Sequence, residues 1–60
     1  MDMNSDFYNL KYLTRHFVGR AAEANVEWRV AQFEGTDEEK EAYIKNRLNA
    51  LEEAITREMN

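Results

Sequence analysis

Aromatic and basic side chains alternate along the first third of the chain, and they are the residues best suited to contact a charged partner. Guanidinium and ammonium groups bind phosphate or carboxylate oxygens, while aromatic rings stack on bases or pack against a protein surface. A net charge of −4 opposes binding to nucleic acid, so we expect nucleic acid to be the less favoured partner. The alternating residues are Tyr8, Lys11, Tyr12, Arg15, His16 and Arg20, of which Lys11, Arg15 and Arg20 are the candidate nucleic-acid contacts.

Catalytic and metal-binding patterns are absent from the sequence. His16 is the sole histidine, and no carboxylate and nucleophile are spaced to make it a general base. The acidic run from Glu34 to Glu41 lacks the ligand spacing of an EF-hand loop, and acids at a helix start are favoured by the helix dipole. The chain contains no cysteine, which excludes disulfides and thiolate chemistry. We therefore predict that the protein is not an enzyme and uses no metal or cofactor.

Length and composition limit the chain to one small domain. A 60-residue chain buries only about 60% of its unfolded surface, so association is the usual route to added stability. No apolar run approaches the roughly 20 residues needed to cross a bilayer. The first residues are acidic and polar, unlike a signal peptide. We expect a soluble cytoplasmic protein that does not contact a membrane.

The residues around Gly35 end one helix and begin another. Gly35 can adopt a left-handed C′ conformation without a Cβ penalty, and Thr36 with Glu39 fits a capping box. These signals predict an all-α fold, an antiparallel helical hairpin with one helix over residues 5–34, a turn at 34–37 and a second helix over 37–58. Gly19 lies mid-helix and leaves an alternative open, in which residues 5–18 bend away as a separate helix and three helices result. The predicted N-cap of the first helix is Asn4, Ser5 or Asp6.

An apolar stripe with alternating steps of three and four residues defines the predicted contact between the two long helices. In an antiparallel pair, the numbers of facing residues add to a constant. Four pairs along the stripe satisfy this rule, as does Leu13 with Met59, and two of the four set a leucine against an alanine. We call these four pairs the predicted seam. They are Trp28 with Ile44, Ala24 with Leu48, Ala21 with Leu51, and Phe17 with Ile55.

The first helix carries more apolar surface than this seam can bury. Its amino end overhangs the hairpin, and a second apolar strip lies behind the seam, so we predict that both bind a partner. The predicted partner-binding residues are Phe7, Tyr8, Leu10, Tyr12, Val26, Val30 and Phe33.

These features predict a small acidic protein-protein interaction module that binds through the first helix and dimerises into a helical bundle. Such a module would act as an inhibitor, adaptor or assembly factor, and acidic proteins of this size are often encoded by phages or mobile elements. The acids of the second helix favour a protein partner with a basic surface. The alternative is a nucleic-acid-associated regulator that uses the basic and aromatic residues of the first helix.

Overall fold

Three α-helices form the fold. The computed structural model describes the backbone of residues 3–59 and the side chains of residues 5–59. Within that range the helices are α1 (Met3–Phe17), α2 (Arg20–Ala31) and α3 (Asp37–Met59), and there is no strand. The predicted all-α class is confirmed. The two long helices of the predicted hairpin are not found, because residues 5–34 form two helices instead of one.

Gly19 separates α1 from α2. Its φ angle is +139°, a conformation that glycine adopts readily because it has no Cβ. The backbone N–H groups of Val18 and Gly19 both donate to the carbonyl oxygen of Thr14, at 2.8 and 3.0 Å, which ends α1. The Glu23 N–H then donates to the Gly19 oxygen at 3.1 Å and starts α2. The three-helix alternative at Gly19 is therefore the arrangement observed.

The loop between α2 and α3 contains the predicted capping box. The Thr36 N–H donates to Glu39 Oε1 at 3.0 Å, and the Glu39 N–H donates to Thr36 Oγ1 at 3.1 Å. This confirms the predicted start of α3. Gly35 has a positive φ of +153°, but α2 ends at Ala31, so Gly35 lies further into the loop than the predicted C′ position.

The start of the first helix differs from its prediction. The described part of α1 already includes Met3, so the three proposed N-cap residues lie inside the helix. These residues are Asn4, Ser5 and Asp6. The prediction was wrong because a favourable cap residue can also occupy the first turn, where an acid interacts well with the helix dipole.

The core lies where all three helices contribute apolar side chains, and α1 packs against both of the others. α1 and α2 fold back on each other at Gly19, and Lys11 Nζ lies 3.9 Å from Glu27 Oε1, each of the two residues eight positions from that glycine. Phe7, Leu13, Tyr43 and Leu51 pack around the core while remaining partly exposed. The buried apolar residues are Leu10, Val26, Val30, Ile44 and Leu48.

The predicted seam does not form. Trp28 is 62% exposed while Ile44 is buried, so this pair does not face across the core. The other members contributed by the first predicted helix, Phe17, Ala21 and Ala24, are also exposed. The reason is the reversal at Gly19, which turns the opposite side of α2 inward and buries Val26 and Val30 in place of Trp28.

Two polar residues share the buried face of α1. Asp6, Leu10 and Thr14 are spaced four apart and are all buried. Asp6 is 1% exposed, and its Oδ2 atom has no hydrogen-bond partner among the described residues. A buried carboxylate oxygen without a partner is costly, so this position weakens an already small core.

Candidate interaction surface

The second half of α3 extends past the end of α1 and leaves an apolar groove, which we call the end groove. At 1.5 Å per residue, α3 is about 34 Å long and α1 about 22 Å. The last turns of α3 therefore extend beyond α1, and none of the other described helices packs along that part of α3. The end groove has a volume of about 390 Å³ and is lined by Phe17, Val18, Leu51, Ala54, Ile55, Glu58 and Met59.

A second groove continues from the first toward the core. The two share Val18 and Leu51, and the second has a volume of about 370 Å³. Arg47 and Ala50 of α3 line it, and α2 contributes its first turns through Ala22. The end groove and this inner groove together form one continuous depression between α3 and the other two helices.

The apolar residues of the end groove are open to solvent. Val18 is 64% exposed and Met59 is 79% exposed, and about half of Phe17 is exposed as well. Exposed apolar groups that lie side by side, rather than singly, mark interaction sites on small soluble proteins. The end groove is therefore the strongest candidate site for association.

A line of aromatic rings runs along α1 and reaches the end groove at Phe17. The rings of Tyr12 and His16 are stacked, with centroids 6.1 Å apart and planes 5° from parallel. His16 meets Phe17 edge-on at 4.8 Å. Tyr8 precedes Tyr12 by four residues, and both tyrosines are largely exposed. We call Tyr8, Tyr12, His16 and Phe17 the aromatic line.

The three candidate nucleic-acid contacts differ in their surroundings. Lys11 Nζ lies 4.8 Å from the centroid of the Phe7 ring, and it also forms an ion pair with Glu27 of α2. Arg15 and Arg20 are exposed and form no ion pair within the described part of the chain. The positive charge available to a partner beside the aromatic line therefore comes from the two arginines.

The predicted partner-binding residues are divided between the core and the surface. Leu10, Val26 and Val30 are buried in the core, which corrects the assumption that they lie on a free face. Phe7 and Phe33 are half-buried, and Phe33 packs on Tyr43 with ring centroids 5.5 Å apart. Tyr8 and Tyr12 are exposed.

The sequence does not mark the groove residues as a site, because several of them belong to the predicted seam. The predicted seam pairs Phe17 with Ile55 and Leu51 with an alanine of the first helix. Val18 lies outside it. The sequence signal for Val18 is its position before Gly19, since a residue beside a helix break has lost half of its helical neighbours.

The charged groups of α3 lie mostly outside the grooves. Glu41 pairs with Lys45 at 3.5 Å and Glu53 with Arg57 at 3.4 Å, each four residues apart on the helix surface. At the start of α3, the backbone N–H of Thr36 lowers the pKa of the Glu39 carboxyl, and the Thr36 side chain adds to this effect. These interactions support the helix and are not part of the candidate site.

The chain has no match among the protein-family models, the curated proteins or the solved structures with which it was compared. None of the described helices combines the length and the apolar character needed to cross a membrane. Over the same residues, no three histidine or acidic side chains are gathered as a metal site. The end groove and the aromatic line form the candidate interaction surface.

Proposed function

We propose that this protein is a helical protein-interaction module, which acts as a dimer and occupies the surface of a macromolecular partner through α1. The observation that carries this proposal is the end groove, where Phe17 and Val18 lie exposed beside the overhanging half of α3. The proposed activity is that of an inhibitor, adaptor or assembly factor, each of which works by covering another surface.

The aromatic line supplies the contacts to the partner. Tyrosine is enriched among the residues that dominate binding energy, because it offers a large rigid surface and a polar end. Tyr8 and Tyr12 are both exposed, and they line the same surface depression as Arg15, which forms no ion pair within the described residues. Arg15 and Arg20 favour an acidic surface on the partner, since opposite charges steer association. The surface that meets α1 is therefore proposed to be acidic, whereas the sequence alone predicted a partner with a basic surface.

The test compares partner capture by three forms of the protein from an extract of the native host. They are the original chain, a Tyr8→Ala/Tyr12→Ala double variant, and a Trp28→Ala control that also removes an exposed aromatic. We expect a protein that is captured equally by the original chain and the control, and at least tenfold less by the double variant. Equal capture by all three forms would contradict a role for the aromatic line.

A nucleic-acid-associated regulator is the second candidate, and the exposure of Arg15 beside the stacked rings of Tyr12 and His16 favours it. Phosphate contacts weaken steeply as salt rises, because binding releases condensed counterions. Titration with a single-stranded RNA at several salt concentrations distinguishes the two functions. If the protein-binding proposal is correct, the original chain shows no RNA binding that depends on Arg15. Salt-dependent binding lost in that variant would replace the protein-binding proposal.

A further inference from the structure

One side of α3 faces the two grooves along its second half. The groove-lining residues of this helix are spaced by three and four positions, which places them in a single stripe. Six of the seven groove-lining residues of α3 form what we call the groove stripe: Arg47, Ala50, Leu51, Ala54, Ile55 and Glu58. The seventh, Met59, also lines the end groove but lies beyond the groove stripe.

The groove stripe is complementary to itself when its direction is reversed. Reversal about the midpoint between residues 52 and 53 brings a cation to an anion and each large apolar side chain to an alanine. Four of the six positions, 47, 51, 54 and 58, follow the 4-3-4 spacing of paired helices. The matched positions are Arg47 with Glu58, Ala50 with Ile55, and Leu51 with Ala54.

The two charged residues of the groove stripe have no partner within the described chain. Two ion pairs lie along α3, Glu41 with Lys45 and Glu53 with Arg57, each between residues four apart. Arg47 and Glu58 are exposed and belong to no such pair. Each of them is therefore available to a charge on another molecule.

We propose that the grooves are occupied by a second copy of this chain, whose α3 lies antiparallel to the first across a two-fold axis. A two-fold contact requires that if one residue meets another, the reverse contact also occurs, and the groove stripe meets this requirement. Alanine opposite leucine or isoleucine lets the two helices approach closely and interdigitate. Arg47 of each copy then pairs with Glu58 of the other.

The dimer also accounts for the exposed apolar groups beside the groove stripe. Phe17 and Val18 line the same groove as Leu51 and Ile55, so the second α3 covers them as well. Tyr8 and Tyr12 are absent from the lining of both grooves and stay free to bind the partner. This inference deepens the proposed function, since it names the second copy as the occupant of the groove and gives the register.

Charge reversal tests the register. Arg47→Glu and Glu58→Arg are prepared separately, and their mass in solution is measured by sedimentation equilibrium over the micromolar range. In a dimer of either single variant, residues 47 and 58 carry the same charge at both of their two-fold-related contacts. We expect this repulsion to raise the dissociation constant about tenfold. A one-to-one mixture of the two variants restores the dimer, because every charge then meets its opposite. Arg57→Glu, the same charge change outside the groove stripe, leaves the association unchanged.

A second pair of variants tests the centre of the contact. Ala54→Glu places a carboxylate close to the two-fold axis and should abolish the dimer, while Ala42→Glu, on the same helix outside the groove stripe, should not. Circular dichroism confirms that both variants keep their helices. If every variant still dimerises, the proposed pairing of residues along α3 is wrong, although the protein is a dimer. A monomeric original chain would overturn the dimer too, whereas partner capture through Tyr8 and Tyr12 is measured independently.

Discussion

Replacing Val30 with alanine tests which side of α2 holds the fold together. Val30 is 4% exposed and lies in the core, whereas Trp28, two residues earlier, is 62% exposed. Trp28→Ala is therefore the matched variant on the opposite side of the same helix. The structure predicts that loss of the smaller side chain does the greater damage.

The expected loss for Val30→Ala is a large share of the total stability. Removing two buried carbons costs about 1.6 kcal/mol in transfer free energy, and the cavity left behind raises this to about 2–3 kcal/mol. A 60-residue domain is stable by only about 3–9 kcal/mol in all. Trp28→Ala gives up partial packing but gains helix propensity, so we expect a change within about 1 kcal/mol.

Urea unfolding followed by far-ultraviolet circular dichroism measures both changes. With a slope of about 1 kcal/mol per molar urea, Val30→Ala lowers the midpoint by about 2–3 M or leaves the chain unfolded. Protein concentration is held constant, because a dimer unfolds at a concentration-dependent midpoint. A larger loss for Trp28→Ala than for Val30→Ala would refute the three-helix core and support a seam through Trp28.

Three further changes test the loop, the capping box and the buried acid. Gly35→Ala should cost about 2 kcal/mol or more, because its φ is +153° and the new Cβ would lie 2.8 Å from the Phe33 ring; Gly19→Ala, where nothing lies within 4 Å, should cost less in thermal unfolding. The lowered pKa of Glu39 means that its charge stabilises the fold above the ordinary pKa of 4.5, and that this contribution is lost as pH falls through the lowered value. Glu39→Gln should therefore reduce the acid sensitivity of the urea midpoint, and an unchanged pH profile would contradict the assignment. Asp6→Leu should raise stability by about 1–2 kcal/mol, since it removes a buried oxygen without a partner; a lower melting temperature would show that the carboxylate is satisfied.

The local signals in the sequence predicted the start of α3 better than they predicted the packing of the helices. Thr36 and Glu39 are three residues apart, and a capping box depends only on that short range, so the beginning of α3 follows from the sequence. The all-α class follows in the same way. Gly19 indicated a weak point, but glycine costs only about 1 kcal/mol inside a helix, too little to show that the helix must break.

The choice of buried face on α2 could not be made from spacing. Ala24 and Trp28 are four residues apart, and so are Val26 and Val30, so both pairs lie on helical stripes. The predicted seam favoured Ala24 and Trp28, because it sets them against Leu48 and Ile44 of the second helix. The matching rule assumes that one uninterrupted helix faces the other, and this condition fails at Gly19. Once the chain reverses there, α1 covers the valines and the tryptophan is left outside.

The break at Gly19 also explains why the second half of α3 is uncovered. An uninterrupted first helix over residues 5–34 would be about 45 Å long and could lie along the whole of α3. Two shorter helices of 15 and 12 residues cover about half that length, so they bury Ile44 and Leu48 but not the turns that follow. The same backbone conformation that completes a three-helix core therefore leaves Met59 exposed and Ile55 only partly buried, in the same groove as Phe17. An interaction surface at that end is a consequence of how the core is formed, and a substitution that rejoined α1 and α2 would remove both together.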